Sequence, residues 1–171
     1  CFSALEALVE LRDETSVDSI SGLISSPSET IRLAAIEALG KIASSKAQQP
    51  LLKHISKAEA YEKRATLISL IRIGTIPPIQ GISDDLIDMF RNDDWDDKFT
   101  AMKGLLMLRE ERAIYHMIDI AGSLDASAPD KEDKINVIRE AVLSFGCTDS
   151  LLMILDDTTF KYRGKALAIE I

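Results

Sequence analysis

The sequence predicts an all-α fold, a right-handed superhelix of stacked helical hairpins, and three observations support this prediction. Apolar residues make up 46% of the chain but aromatic residues only 5%, a balance that suits packing between helices better than pairing in a sheet. Apolar side chains recur at spacings of three and four, as on the buried face of a helix. The same pair of helical segments also recurs along the chain, which is typical of repeat proteins.

The clearest hairpin covers residues 27–56. Its first helix is predicted over 31–42, and Ser28 precedes it in a position to cap the free N–H groups. A short turn rich in serine follows. The second helix is predicted from about Ala47 to Ile55, with Pro50 in the first turn, where a missing N–H costs least.

The hairpin recurs along the chain. Residues 98–108 repeat the pattern of 32–42 at an offset of 66 residues, and the helices that follow these two segments match at the same offset. Similar segments occupy 63–73 and 135–146, where Gly146 takes the place of Gly40. We therefore predict one repeat domain over residues 1–171, with approximate units 1–26, 27–56, 57–92, 93–124, 125–157 and a truncated 158–171.

Features at both ends of the sequence predict that it is a piece of a longer chain. The sequence opens with Cys1 and already reads as helical at residues 4–12, and it closes on the apolar stretch 166–171. An exposed apolar layer at the end of a stack is unfavourable, so we expect further repeats or self-association with a second molecule to cover it.

A short motif between residues 31 and 52 resembles a known family. It consists of Ile-Arg at 31–32, alanine at 35, Ala-Leu-Gly at 38–40 and Pro-Leu-Leu at 50–52. This motif resembles HEAT repeats, and the closest subtype is the short HEAT-like repeat of phycobilisome lyases. The middle units depart from it, since lysine replaces the expected arginine. The resemblance implies an armadillo-type α-solenoid, and its motifs specify architecture and not activity.

All of the net charge of −8 lies in the second half of the chain. Residues 1–80 hold nine acidic and nine basic side chains, whereas residues 81–171 hold nineteen and eleven. An acidic surface repels phosphate groups, so we expect no binding to nucleic acid or to an anionic membrane. No apolar run has the length of a membrane span. The two cysteines fit a reducing compartment, and we therefore expect a cytoplasmic protein.

The acidic run at residues 93–97 is the sharpest local feature. Its carboxylates could collect a hard cation, but the run lacks the glycine and the final glutamate of an EF-hand loop. We interpret these acids as capping and flanking a helix that begins near Asp97 or Lys98, with Trp95 folded back as an apolar plug. Trp95, Asp94 and Asp96 remain a secondary candidate patch for a partner.

The sequence predicts no catalytic, cofactor-binding or metal-binding residues, and no cofactor. His54 and His116 lie two units apart, and Cys147 has no histidine near it in sequence. No nucleophile elbow, phosphate-binding loop or dinucleotide-binding fingerprint is present in the sequence.

We therefore predict a non-catalytic scaffold that binds another protein on the concave face formed by the second helices of the hairpins. On this face we predict a binding ridge whose side chains change along the chain from amide and basic to acidic. We therefore expect a partner with a basic segment. Two enzymatic alternatives follow from the resemblance alone, a bilin lyase or its subunit and, less favoured, a HEAT-like DNA glycosylase. The ridge comprises Gln49, Lys53, Asp84, Asp88, Tyr115 and Asp119.

Overall fold

A computed structural model describes residues 2–91, 94–125 and 127–146, together with the single positions 149, 151, 154 and 156. The regular structure of these described residues is helical, and no strand occurs among them, which confirms the predicted all-α class for this part of the chain. Cys1, Cys147 and the predicted truncated helix over 158–171 lie outside the described residues. Nine α-helices have both bounds within them: α1 (Phe2–Glu10), α2 (Val17–Leu23), α3 (Glu29–Ile42), α4 (Gln48–Ile55), α5 (Ala60–Ile73), α6 (Ile82–Asp88), α7 (Trp95–Leu108), α8 (Ala113–Ser123) and α9 (Lys131–Phe145).

The helices belong to two compact units, Cys1–Ile79 and Gln80–Ile171. Unit 1 contains α1 to α5, and unit 2 contains α6 to α9. The boundary falls between α5 and α6, inside the predicted repeat 57–92. One continuous repeat domain over the whole chain therefore stays a prediction.

The helix α3 is central to unit 1. It packs against α1, α2 and α5, and α4 packs against α5, which is the contact pattern of hairpins stacked in chain order. Ala35, Ile36 and Leu39 on α3 have no exposed surface. The apolar stripe predicted from helical spacing is thus the buried face of this helix. Small side chains on that face let neighbouring helices approach closely.

The closest approach of α3 to α5 is at Gly40. A Cβ atom built on this glycine would lie 2.5 Å from Ser69 Oγ and 2.8 Å from Ser69 Cα. The Ser69 hydroxyl donates a buried hydrogen bond of 2.9 Å to the carbonyl oxygen of Ile36. A glycine is required at this position because the facing helix occupies the space of any side chain.

A polar network joins the hairpins of unit 1. The Arg32 guanidinium donates to Glu62 Oε1 from Nε at 2.8 Å, and to the carbonyl oxygens of Ser26 at 2.9 Å and Pro27 at 3.2 Å. His54 Nε2 lies 3.2 Å from Glu62 Oε2 but without the alignment of a hydrogen bond. The hydrogen bond from Arg32 is the main cause that lowers the pKa of Glu62. The network thus connects the α2–α3 loop, α3, α4 and α5.

Two predictions about helix starts need correction. Ser28 is the N-cap of α3, but its hydroxyl makes no capping hydrogen bond. The helix predicted to begin near Asp97 or Lys98 begins at Trp95, because the Asp94 side chain accepts a hydrogen bond of 2.8 Å from the Asp96 N–H. An aspartate in the N-cap position satisfies an N–H group that the helix leaves without a partner.

Unit 2 is organised around α7, which packs against α6, α8 and α9, while α8 also packs against α9. Leu86 on α6, Leu105 on α7 and Met117 on α8 are fully buried, so these helices share one apolar interior. Within the described ranges, no helix is long and apolar enough to cross a membrane.

Candidate interaction surface

The polar sides of α6 and α8 form the candidate site in unit 2. On α8, Met117 and Ile118 are buried, whereas Tyr115 is 41% exposed and Asp119 is exposed. Residues four apart lie on the same side of a helix, so Tyr115 and Asp119 share the outward side. We call this surface the α6–α8 face and define it by Asp84, Asp88, Arg91, Glu110, Arg112, Tyr115, His116 and Asp119.

Arg112 connects the starts of the two helices. Its Nη1 donates to Asp84 Oδ1 at 3.0 Å, and its Nε and Nη2 donate to the two oxygens of Glu110 at 2.9 and 3.0 Å. The contact with Glu110 is bidentate through Nε and Nη2, a geometry that holds the planar group in one orientation. This bond is the main cause that lowers the pKa of Glu110 to about 2, and Glu110 and Asp84 together raise the pKa of Arg112.

The remaining carboxylates of the face differ in their partners. Asp88 forms an ion pair of 2.8 Å with Arg91 on the following turn, and both side chains are largely exposed. Among the described residues, Asp119 has no ion-pair partner. Surface ion pairs are weak and screened by salt, so Asp88 and Arg91 can exchange partners. Asp119 is thus the carboxylate of this face that forms no ion pair with another described residue.

His116 lies next to these charges, and its side chain is half-buried. Its ring centroid is 6.2 Å from that of the buried Phe90 and 5.7 Å from that of Tyr115, which meets it edge-on. Burial is the main cause that lowers the pKa of His116, and Asp119 opposes this effect. The imidazole is therefore an uncharged aromatic component of the face at neutral pH.

The structure places the predicted ridge residues in two groups. Asp84, Asp88, Tyr115 and Asp119 share the α6–α8 face, whereas Gln49 and Lys53 are exposed on α4 in unit 1. Continuity of the ridge between the two units stays a prediction. The same is true of its role in binding.

Sequence reasoning missed four members of the face: Arg91, Glu110, Arg112 and His116. Asp84 contacts Arg112, about one helical turn before the predicted ridge residue Tyr115. A signal was present, since a basic residue directly precedes α8 and an acidic residue lies in the first turn of α6.

The secondary patch of Trp95, Asp94 and Asp96 is engaged in local structure. Asp94 caps α7 through the Asp96 N–H. Trp95 is half-buried, and Lys134 Nζ from α9 lies 4.9 Å from its ring centroid, a cation–π geometry. That Trp95 folds back as an apolar plug stays a prediction. Among the described residues, no group of three histidine, cysteine or acidic side chains could hold a metal ion.

Comparison with known families adds one finding. The family described as HEAT repeats matches residues 2–72, which form α1 to α5 of unit 1. No curated protein matches the chain. The motif at residues 31–52 predicted this likeness, and the match confirms it for the segment concerned. Over residues 2–72 the chain is therefore similar to HEAT repeats.

Proposed function

We propose that this protein is a non-catalytic interaction scaffold and that its α6–α8 face binds a basic segment of a partner protein. Stacks of helical hairpins present extended surfaces of this kind to other proteins. The observation that carries the proposal is an exposed aromatic ring, Tyr115, on the same side of α8 as a carboxylate, Asp119, that has no ion-pair partner in the described part of the chain.

Charge complementarity selects a basic partner. The face holds four carboxylates but only two guanidinium groups, so it remains negative after its own ion pairs are formed. Arg112 is held by two of these carboxylates and Arg91 by a third. A lysine or arginine from a partner would approach Asp119 without displacing an internal ion pair. Such complementarity increases the association rate, and salt screens it.

Tyr115 supplies the apolar part of the proposed contact. Tyrosine is enriched at binding hot spots because it combines a large ring with a polar tip. Tyrosine rings also form cation–π contacts with lysine and arginine side chains. Tyr115 lies one turn before Asp119, so one basic side chain can contact both groups.

In this proposal the hairpins continue through both units as the right-handed superhelix that the sequence predicts, in a cytoplasmic protein. The closeness to phycobilisome-lyase repeats rests on the motif at residues 31–52 alone. None of the described residues adds support for bilin attachment.

The test uses a defined probe, a fluorescent helical peptide of about 20 residues rich in lysine and arginine, with blocked termini. Its affinity is measured by anisotropy for the wild type, Asp119→Lys and Glu140→Lys. Glu140 is the matched control because it is exposed in the middle of α9 and its reversal changes the net charge equally. Asp130 is unsuitable because it pairs with Lys134 at 2.8 Å.

We expect Asp119→Lys to weaken binding by about tenfold and Glu140→Lys by less than about twofold. Equal weakening in the two variants would mean that only the overall charge of the protein matters. Equal binding of an acidic peptide of the same length would contradict a face selective for basic partners.

A further inference from the structure

His116 places a titratable group inside the α6–α8 face. The ring contacts Phe90, which follows α6, and Tyr115 on α8, so it is held in place by aromatic neighbours from two elements. It is half-buried in unit 2. A ring in this position is part of the surface that a partner would cover.

The charges around His116 come from both helices. Asp88 and Arg91 approach from the α6 side, and Asp119 and Arg112 belong to α8 or its start. The carboxylates favour a protonated ring, whereas burial and the two guanidinium groups oppose it. The net effect lowers the pKa of His116, so the ring takes up its proton only below the ordinary value of 6.5.

We infer that mild acidity releases a basic partner from the α6–α8 face, because protonation of His116 adds a positive charge beside Asp119 and Asp88. This inference rests on the proposed function of the same face. A protonated ring compensates the carboxylate that would attract the partner and repels its lysines and arginines. The imidazole thus makes the charge of the face sensitive to pH.

The direction of the effect follows from linkage between the two binding events. A basic partner favours the neutral ring, so its binding must lower the pKa of His116 further, and protonation must weaken partner binding by the same factor. The pKa of Glu110 is about 2. Histidine is the side-chain type of this face whose ordinary pKa, 6.5, lies closest to neutral pH.

The experiment measures affinity for the basic peptide between about pH 7.5 and 5 at constant ionic strength, and the peptide carries no group that titrates in this range. The variants are His116→Gln and, as control, His54→Gln, which removes the other histidine of the chain and lies in unit 1. Circular dichroism at each pH checks the fold. Nuclear magnetic resonance of the His116 ring gives its pKa with and without peptide, which keeps the test valid if a variant folds poorly.

We expect the affinity of wild type and His54→Gln for the peptide to fall about three- to tenfold on acidification. The affinity of His116→Gln, whatever its value at neutral pH, should not change with pH. The pKa of His116 should fall further when peptide is bound. If wild-type affinity depends on Asp119 but not on pH, the inference fails while the proposed function stands. A pH dependence that His54→Gln abolishes and His116→Gln retains would also overturn it. If the peptide does not bind at about pH 7.5, the proposed function fails first.

Discussion

At the residue scale, two glycines that align in the repeats serve different purposes. Gly40 lies inside α3, where Ser69 of the facing helix leaves no room for a Cβ atom. Gly146 ends α9 with a φ angle of +67°, and nothing lies within 4 Å of its Cβ position. One position needs close packing and the other a left-handed backbone. Gly146 and Gly40 therefore align in the repeats, but each position requires glycine for a different physical reason.

The packing role of Gly40 gives a stability prediction. Gly40→Ala should lower the free energy of unfolding by about 1 to 3 kcal/mol, because the new methyl group must push Ser69 and its backbone away. The control is Gly22→Ala on α2, where a Cβ atom meets nothing within 4 Å. That change should stabilise the protein by about 0.5 kcal/mol through helix propensity. Urea unfolding measures both, and a neutral Gly40→Ala would contradict the close approach of α3 and α5.

At the element scale, the Arg32 network explains how consecutive hairpins hold their positions. Glu62 on α5 is 12% exposed and receives Arg32 from α3. The same guanidinium also binds two carbonyl oxygens in the loop before α3. A partly buried carboxylate with a charge-assisted hydrogen bond contributes more to stability than an exposed ion pair. The hairpins are thus joined by polar contacts as well as by apolar packing.

Replacing the carboxylate by an amide tests this network. Glu62→Gln should lower the free energy of unfolding by about 1 to 2 kcal/mol at neutral pH. Glu37→Gln is the matched control, since Glu37 pairs with Lys41 on an exposed surface, and it should cost less than about 0.5 kcal/mol. The pKa of Glu62 is lowered on folding, so its contribution is present above the ordinary value of 4.5 and is lost as the pH falls. A difference from wild type that grows on acidification would contradict this account.

Helices were more predictable than the contacts between them. The buried positions Ala35 and Leu39 follow from helical spacing, which depends only on residues close in sequence. The outward positions of Tyr115 and Asp119 follow from the same rule. The contact of Arg112 with Asp84 spans 28 residues and depends on how far α8 is displaced along α6. If α8 moves by one turn along α6, apolar side chains still face apolar side chains. The spacing of apolar residues therefore does not determine which residue of α8 contacts Asp84.

At the scale of the whole molecule, the boundary between the two compact units coincides with the boundary between the uncharged and the acidic part of the sequence. Unit 1 ends at Ile79, and the residues before 81 have no net charge, so unit 2 carries the whole −8. A basic partner is therefore attracted towards unit 2 before any specific contact forms. Long-range attraction alone does not select one face of that unit. The exposed groups of α6 and α8 supply the proposed selection.

The most direct test of the central claim locates the bound peptide. A photo-crosslinking amino acid replaces either Tyr115 on the α6–α8 face or Phe99 on α7, two aromatic residues of unit 2 that are 41% and 45% exposed. Each variant is irradiated with the basic peptide and analysed by mass spectrometry. The account predicts an adduct from position 115, suppressed by salt, and little or none from position 99. A yield of adduct from position 99 that equals or exceeds the yield from position 115 would contradict binding at the α6–α8 face.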